Sequence, residues 1–188
     1  MGLLNQRSLL LNDLPRTSLL NAFTPIKCYS QCSYNKWHKT EDPCPFCRKE
    51  AESIFHVILH CDFITDMWNQ LHTTLSKLHS KPLDDAEKAF GIVDIKSTPG
   101  VVLRNWLGFK LREKVLLSER SAYHQARKPS VEQFKAKFNQ SVANDVKILM
   151  YRLKNEGKLQ KYDEIVGFKG VVCAKIGTGE YKFNEVLN

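Results

Sequence analysis

Four residues with metal-binding side chains fall close together in this chain: Cys44, Cys47, His56 and Cys61. Two cysteines separated by two residues form a knuckle whose turn aims both sulfurs at one point, and Pro45 between them restricts that turn. A histidine on the following helix and a cysteine at its end would complete a tetrahedron. Three thiolates and one imidazole make a closed, structural zinc site, with no position left for a substrate or a hydrolytic water. Such sites contribute about 10–16 kcal/mol of apparent binding free energy coupled to folding, more than the net stability of many small domains. The segment is therefore expected to need its metal. The competing reading is a set of ordinary buried thiols beside a core histidine.

His60 lies four residues after His56, so both histidines share a helix face and either is within reach. Because His60 directly precedes Cys61, joint coordination by that pair would cramp the backbone, and His56 is favoured. Cys28 and Cys32, with His38 nearby, form half of a second constellation without a fourth partner. Structural or free cysteines are the simpler reading there, and Cys173 reads as a buried thiol. Most of the six cysteines crowd between Cys28 and Cys61 among histidines, and nothing at the N-terminus has the pattern of a signal peptide. Metal in a reducing compartment fits this better than disulfides. With no apolar run near the roughly 18 residues that span a bilayer, the expectation is a soluble, intracellular protein of the cytoplasm or nucleus.

The elements that must position these residues read as helices. Leucine-rich patches before residue 25 are interrupted by Pro15, and Pro25 to Pro45 is turn-like, so residues 1–43 form a helical and turn-like lead-in. Glu50 to Cys61 reads as a helix, and Asp62 as the N-cap of a second one, whose Ile64, Trp68, Leu71, Leu75 and Leu78 form one stripe. Together these make a small zinc-binding helical module over 44–80. Residues 81–100, with Pro82, Pro99 and the acidic pair Asp84 and Asp85, read as a linker of solvated charge.

From Val101 to about Gln125, Leu103, Leu107, Leu111 and Val115 recur every four residues. After Pro129, Ser130 and Gln133 give a capping-box pattern that opens a helix with Val131, Phe134, Phe138, Val142, Val146, Leu149 and Leu153 on one face, stopped by Gly157. Residues 101–161 thus form a helical region, and 162–188 a tail with a small strand or no regular structure. The expected fold class is mainly α, a zinc module followed by long helices, with little or no β.

The formal net charge is +8, and it is concentrated: residues 100–161 hold 14 Lys and Arg against five Asp and Glu. That is what an element facing a polyanion shows, and also what a solvated lysine-rich surface shows. Lys137, Lys147, Lys154 and Lys158 fall opposite the apolar stripe of the last long helix. Nearer the cysteines, Lys36, Lys39, Arg48 and Lys49, with Trp37 and Phe46 as stacking surfaces, make a second candidate patch for nucleic acid.

The string CPFCRKEAESIFHVILHCDFITDMW resembles the zinc-binding domain that follows the reverse transcriptase in non-LTR retrotransposons of the long interspersed type. In that family a Cys pair is followed by an acidic residue, an apolar helix carrying the ligand His, a Cys and then a Trp. Cys44, Cys47, Glu52, His56, Cys61 and Trp68 occupy those places here. Trp37 upstream, Phe90-Gly91-Ile92, and Asn105-Trp106-Leu107 leading to Lys114 agree with the family's flanks, so the resemblance covers roughly residues 15–155, with specific motifs only between 44 and 68.

The resemblance implies a zinc-stabilised module that contacts element RNA or target DNA and works beside the reverse transcriptase core. A remnant with a structural or protein-interaction role is the alternative. No paired aspartates in a polymerase hairpin, no endonuclease region and no nucleophile pattern are present, so the chain reads as a non-enzyme with no small-molecule substrate. Gly177-Thr178-Gly179 is too short for a phosphate loop.

Overall fold

A computed structural model describes residues 43–188 except 52, 54, 79, 80, 92–97, 126–129 and 179; the side chains of 119–125 also fall outside the description. The leucine-rich patches, Trp37, Lys36, Lys39, and the Cys28, Cys32 and His38 group lie outside the described residues. What is described is mainly α, with one two-stranded sheet.

After the Cys44–Cys47 knuckle and a π-helical turn at His56–His60 comes α1, Asp62–Leu75. Its apolar residues recur at helical spacing, and Ile64, Trp68, Leu71, Leu75 and the following Leu78 are all buried, as the stripe requires. The N-cap is Cys61 and not Asp62, which is the first helical residue. An acidic residue there still favours the N-terminal end of the helix dipole.

The 81–100 segment is not a plain linker. Asp84 caps a short helix, α2, Asp85–Phe90: its carboxylate accepts from the Glu87 N–H at 2.8 Å, while the Glu87 carboxylate accepts from the Asp84 N–H at 3.1 Å. The Asp-x-x-Glu spacing is that of a reciprocal capping box, which gives Asp84 a structural role.

Helix α3, Pro99–Gln125, starts two residues before the expected Val101 because proline suits the first helical turn. Leu103, Leu107, Leu111 and Val115 are buried on it. Gly108 faces the Trp68 ring of α1, where a Cβ would make ordinary contact with the indole at 3.7 Å.

Helix α4, Val131–Asn155, is capped by Ser130, whose hydroxyl accepts from the Gln133 N–H at 3.4 Å, and it buries its stripe from Phe134 to Leu153, while Val131 at its start is only partly buried. Gly157, at φ +70, takes the left-handed conformation that ends it. A short α5, Leu159–Ile165, follows.

The C-terminal residues are not a loose tail. β1, Cys173–Gly177, and β2, Glu180–Phe183, pair antiparallel with Cys173 opposite Phe183. Beyond them Val186 and Leu187 are buried. Asn139 of α4 accepts from both of their N–H groups and donates to the Leu187 carbonyl at 2.7 Å, and Thr74 of α1 donates to the Val186 carbonyl at 2.8 Å. One apolar core runs from Cys44 and Phe46 through α1, α3 and α4 to Leu187.

Several cations of the basic region serve that core. Lys110 on α3 is buried, with its ammonium 2.7 Å from Asp145 on α4 and 3.0 Å from Glu113. Burial works against its charge, but the two carboxylates outweigh that and raise its pKa overall. Arg104 is buried and donates to the Lys81 carbonyl at 2.6 Å. Arg112 donates to the Lys88 carbonyl, and burial pushes its pKa down to about 10. Not every cation of residues 100–161 is therefore offered to an outside partner: these three point inward, where each meets carbonyls or carboxylates.

Candidate metal centre

The knuckle is built by backbone bonds that a two-residue spacing permits. The Cys44 N–H bonds to the Glu50 carbonyl at 2.8 Å, the Arg48 N–H returns to the Cys44 carbonyl at 2.8 Å, and a bridge between Pro43 and Ala51 closes the loop. Arg48 sits at φ +59, a left-handed conformation that costs a non-glycine residue about 1–2 kcal/mol and is held by this closed loop. The Lys49 N–H reaches the Cys47 sulfur at 3.4 Å, a polar partner suited to a thiolate.

The histidine arrives differently from the expected helix over Glu50–Cys61. A π-helical turn occupies only His56–His60, and the Cys61 N–H bonds to the His56 carbonyl at 2.7 Å, five residues back. In an α-helix two residues five apart point about 140° away from each other around the axis. The wider turn and the extended conformation of Cys61 bring the imidazole and the third sulfur together. An α-helix through this stretch would separate them.

The ligand atoms of Cys44, Cys47, His56 and Cys61 all lie within 4.8 Å of one another, and these residues could hold a metal ion. The Cys44 and Cys61 sulfurs are 3.8 Å apart, and His56 Nε2 is 3.3 Å from the Cys47 sulfur. With Zn–S bonds of about 2.3 Å and Zn–N bonds of about 2.0–2.1 Å, a tetrahedral site has edges of about 3.8 Å between sulfurs and about 3.5 Å from sulfur to nitrogen. Those two separations match the edges to within a few tenths of an ångström, and the whole set spans up to 4.8 Å. His60, by contrast, is exposed and takes no part in the cluster.

The two close sulfurs are in contact at 3.8 Å. Their mutual bond lowers the Cys44 pKa to about 5, against burial, and the same bond, with burial and the Cys44 charge, raises that of Cys61. A pair in which one thiolate already exists is a strong receptor for a soft cation.

The surroundings orient this set. Glu50 Oε2 lies 3.0 Å from His56 Nδ1, though not aligned for a straight hydrogen bond, so a carboxylate stands behind the ring nitrogen that faces away from the sulfurs. Ser53 accepts from the His56 N–H at 3.1 Å. Trp68 donates its indole N–H to the Ile58 carbonyl at 2.8 Å, tying the π-helical turn to α1. Phe46, inside the Cys-Pro-Phe-Cys knuckle, is fully buried and stacks on Phe63 at 5.1 Å, which meets Phe134 of α4 edge-on at 5.4 Å. Phe46 is therefore a core anchor, the commoner place for such a ring, and not a base-stacking surface. Glu50 carried no sequence signal, since on the helix expected over Glu50–Cys61 a six-residue offset puts it about 120° around the axis from His56.

The candidate nucleic-acid residues fall in separate places. Arg48 and Lys49 are exposed on the knuckle, where Lys49 pairs with Asp62 at 2.7 Å. Lys137, Lys147 and Lys154 are exposed along α4, and Lys158 just beyond it pairs with Glu156 at 2.9 Å. Lys147 also lies 5.4 Å from the centre of the Phe183 ring. Cys173 is buried, its sulfur 3.5 Å from the Tyr162 hydroxyl, and burial raises its pKa as expected for an inert thiol. Among the described residues no helix is long and apolar enough to cross a membrane. The chain matches no protein-family model, no curated protein and no solved structure.

Proposed function

We propose that Cys44, Cys47, His56 and Cys61 hold one structural zinc ion, and that the chain is a zinc-stabilised nucleic-acid-binding module resembling the C-terminal fragment of a retrotransposon reverse transcriptase. The observation that carries the metal assignment is the convergence of three sulfurs and one imidazole nitrogen within 4.8 Å of one another. Zinc there supplies folding free energy and not a reactive position, because four protein ligands complete its shell. Cys44 and Cys47 bind from the knuckle, His56 and Cys61 from the ends of the π-helical turn, and Glu50 steadies the imidazole.

The nucleic-acid reading draws support from the net charge of +8 and from the exposure of Lys137, Lys147 and Lys154 along one helix. Contacts of this kind go to phosphates, do not depend on base sequence and weaken with salt. The module would serve RNA or DNA alongside a reverse transcriptase core, as its resemblance implies. A second reading, a structural or protein-interaction remnant, is favoured by the inward placement of Arg104, Lys110 and Arg112, which removes charge from any outer face.

Two measurements test the proposal. Elemental analysis of the purified full chain is expected to give about one equivalent of zinc, and Cys47→Ser close to none; less than about half an equivalent in the unaltered chain overturns the metal assignment. Fluorescence anisotropy with labelled RNA and DNA, single-stranded and duplex, is expected to show salt-sensitive binding. No binding to any of them at low salt and about micromolar protein, the tight end of ordinary non-specific affinity, leaves the remnant reading in its place.

A further inference from the structure

Aromatic residues of α4 divide sharply between its two sides. Phe134 and Phe138 are buried, whereas Tyr151 is 68% exposed, next to Ile148 at 63%. On the helical wheel Tyr151 lies almost opposite the buried stripe, between Lys147, four residues before it, and Lys154, three after. Those two lysines are two turns apart, about 10.5 Å along the axis. Gln140 and Asn144 continue the same face toward the N-terminal end, and both are exposed.

The outward face carries no carboxylate between Gln133 and Asn155. The acidic residue inside that stretch, Asp145, turns inward to Lys110 at 2.7 Å. Lys147 is held beside the hairpin by its contact with the Phe183 ring. An exposed tyrosine and isoleucine on a helix face of cations and amides, with no carboxylate on that face between Gln133 and Asn155, suit a ligand that is flat and apolar in its rings and negative in its backbone.

We infer that this face of α4 is a docking surface for single-stranded nucleic acid, with Tyr151 as a base-stacking platform between backbone contacts from Lys147 and Lys154. A single strand can turn a base out onto an exposed ring, which a base held in a duplex stack cannot do. A protein partner seated on Ile148 and Tyr151 would more naturally be met by a patch with fewer cations at its centre. The inference rests on the nucleic-acid reading above and adds to it which face binds and which form of the polymer.

The test uses the metal-loaded full chain and a fluorescein-labelled 20-nucleotide oligothymidine, with a duplex of equal length for comparison. Tyr151→Ala is expected to weaken binding to the single strand by roughly ten-fold or more, whereas Tyr151→Phe, which keeps the ring, stays within about two-fold. Changing Lys147→Gln and Lys154→Gln together lowers the slope of log affinity against log salt by about 1.4, from two lost phosphate contacts at about 0.7 each. Zinc content and helical circular dichroism, unchanged in these exposed variants, exclude a folding defect.

If the unaltered chain binds the single strand and Tyr151→Ala binds it equally well, or if the duplex is preferred, this inference falls while the broader reading stands. If the unaltered chain binds no nucleic acid of any form, the broader reading falls and takes this one with it.

Discussion

The knuckle with its π-helical turn and the pair α3 and α4 hold their shapes by different physics, although they share one core. The described residues of 43–61 form few regular backbone bonds, carry a left-handed Arg48, and bring three sulfurs and an imidazole together, two of the sulfurs 3.8 Å apart. The long helices satisfy their own backbone, bury Leu103, Leu107, Phe138 and Val142 against neighbours, and are pinned by Lys110 to Asp145. Helix packing by apolar burial needs no ligand; a strained loop of polar groups does. The lesson is that a single fold can have a metal-dependent end and a metal-independent end, joined through Phe46, Phe63 and Phe134.

The largest expected effect separates these ends. Chelation of the metal, or Cys61→Ser, removes a share of the 10–16 kcal/mol that such sites supply and melts the knuckle and the π-helical turn, while α3 and α4 stay helical. Amide exchange checks this: protection is lost across residues 43–61 and retained at Leu107 and Val146. Equal loss at both would show that the two ends are one cooperative unit.

Phe138→Ala probes the other end. Its side chain is fully buried on α4, so the substitution is expected to cost about 3–5 kcal/mol in denaturant unfolding. The zinc stoichiometry of the folded protein should not change. A variant that also loses metal would couple the centre to the helices more tightly than the packing indicates.

Lys110→Met takes out the ion pair to Asp145 across α3 and α4 and the one to Glu113 within α3, with an expected loss of about 2 kcal/mol at pH 8. The sign with pH follows from its raised pKa. A folded-state pKa above the unfolded value means the lysine's contribution is complete below its ordinary value near 10.5 and is lost as pH rises through the folded value. The difference between the unaltered chain and Lys110→Met should therefore be constant near neutrality and shrink in strongly alkaline urea titrations.

The smallest effects refine the centre. Glu50→Gln leaves a hydrogen-bonding group but removes the charge behind His56, and metal affinity should fall about ten-fold, measured by competition with a chromogenic chelator. Trp68→Phe keeps the ring in the core but frees the Ile58 carbonyl, at about 1 kcal/mol of stability, with a matching rise in exchange across the π-helical turn. No change in either variant would make the knuckle self-sufficient.

Ligand types and spacing made the metal centre legible before any coordinates, because two cysteines two apart form the same turn wherever they occur, and a histidine and a cysteine beyond it had few other uses. The long helices were legible for a related reason: Leu103 to Val115 and Phe134 to Leu153 repeat at the helical period, and a stripe of that length has one way to be buried. The Asp84 capping box was present in the same letters and was passed over because prolines and acids nearby suggest a linker.

Other features depended on contacts between residues far apart in the chain, which local pattern does not encode. Whether Phe46 would face solvent or Phe63, whether Lys110 would meet phosphate or Asp145, and whether Val186 and Leu187 would fray or dock on Asn139 were decided by which surfaces met in three dimensions. The π-helical turn belongs with these. Local propensity favours an α-helix over residues 50–61, and it was the closing of the knuckle and the anchoring of Trp68 to Ile58 that selected the wider turn instead.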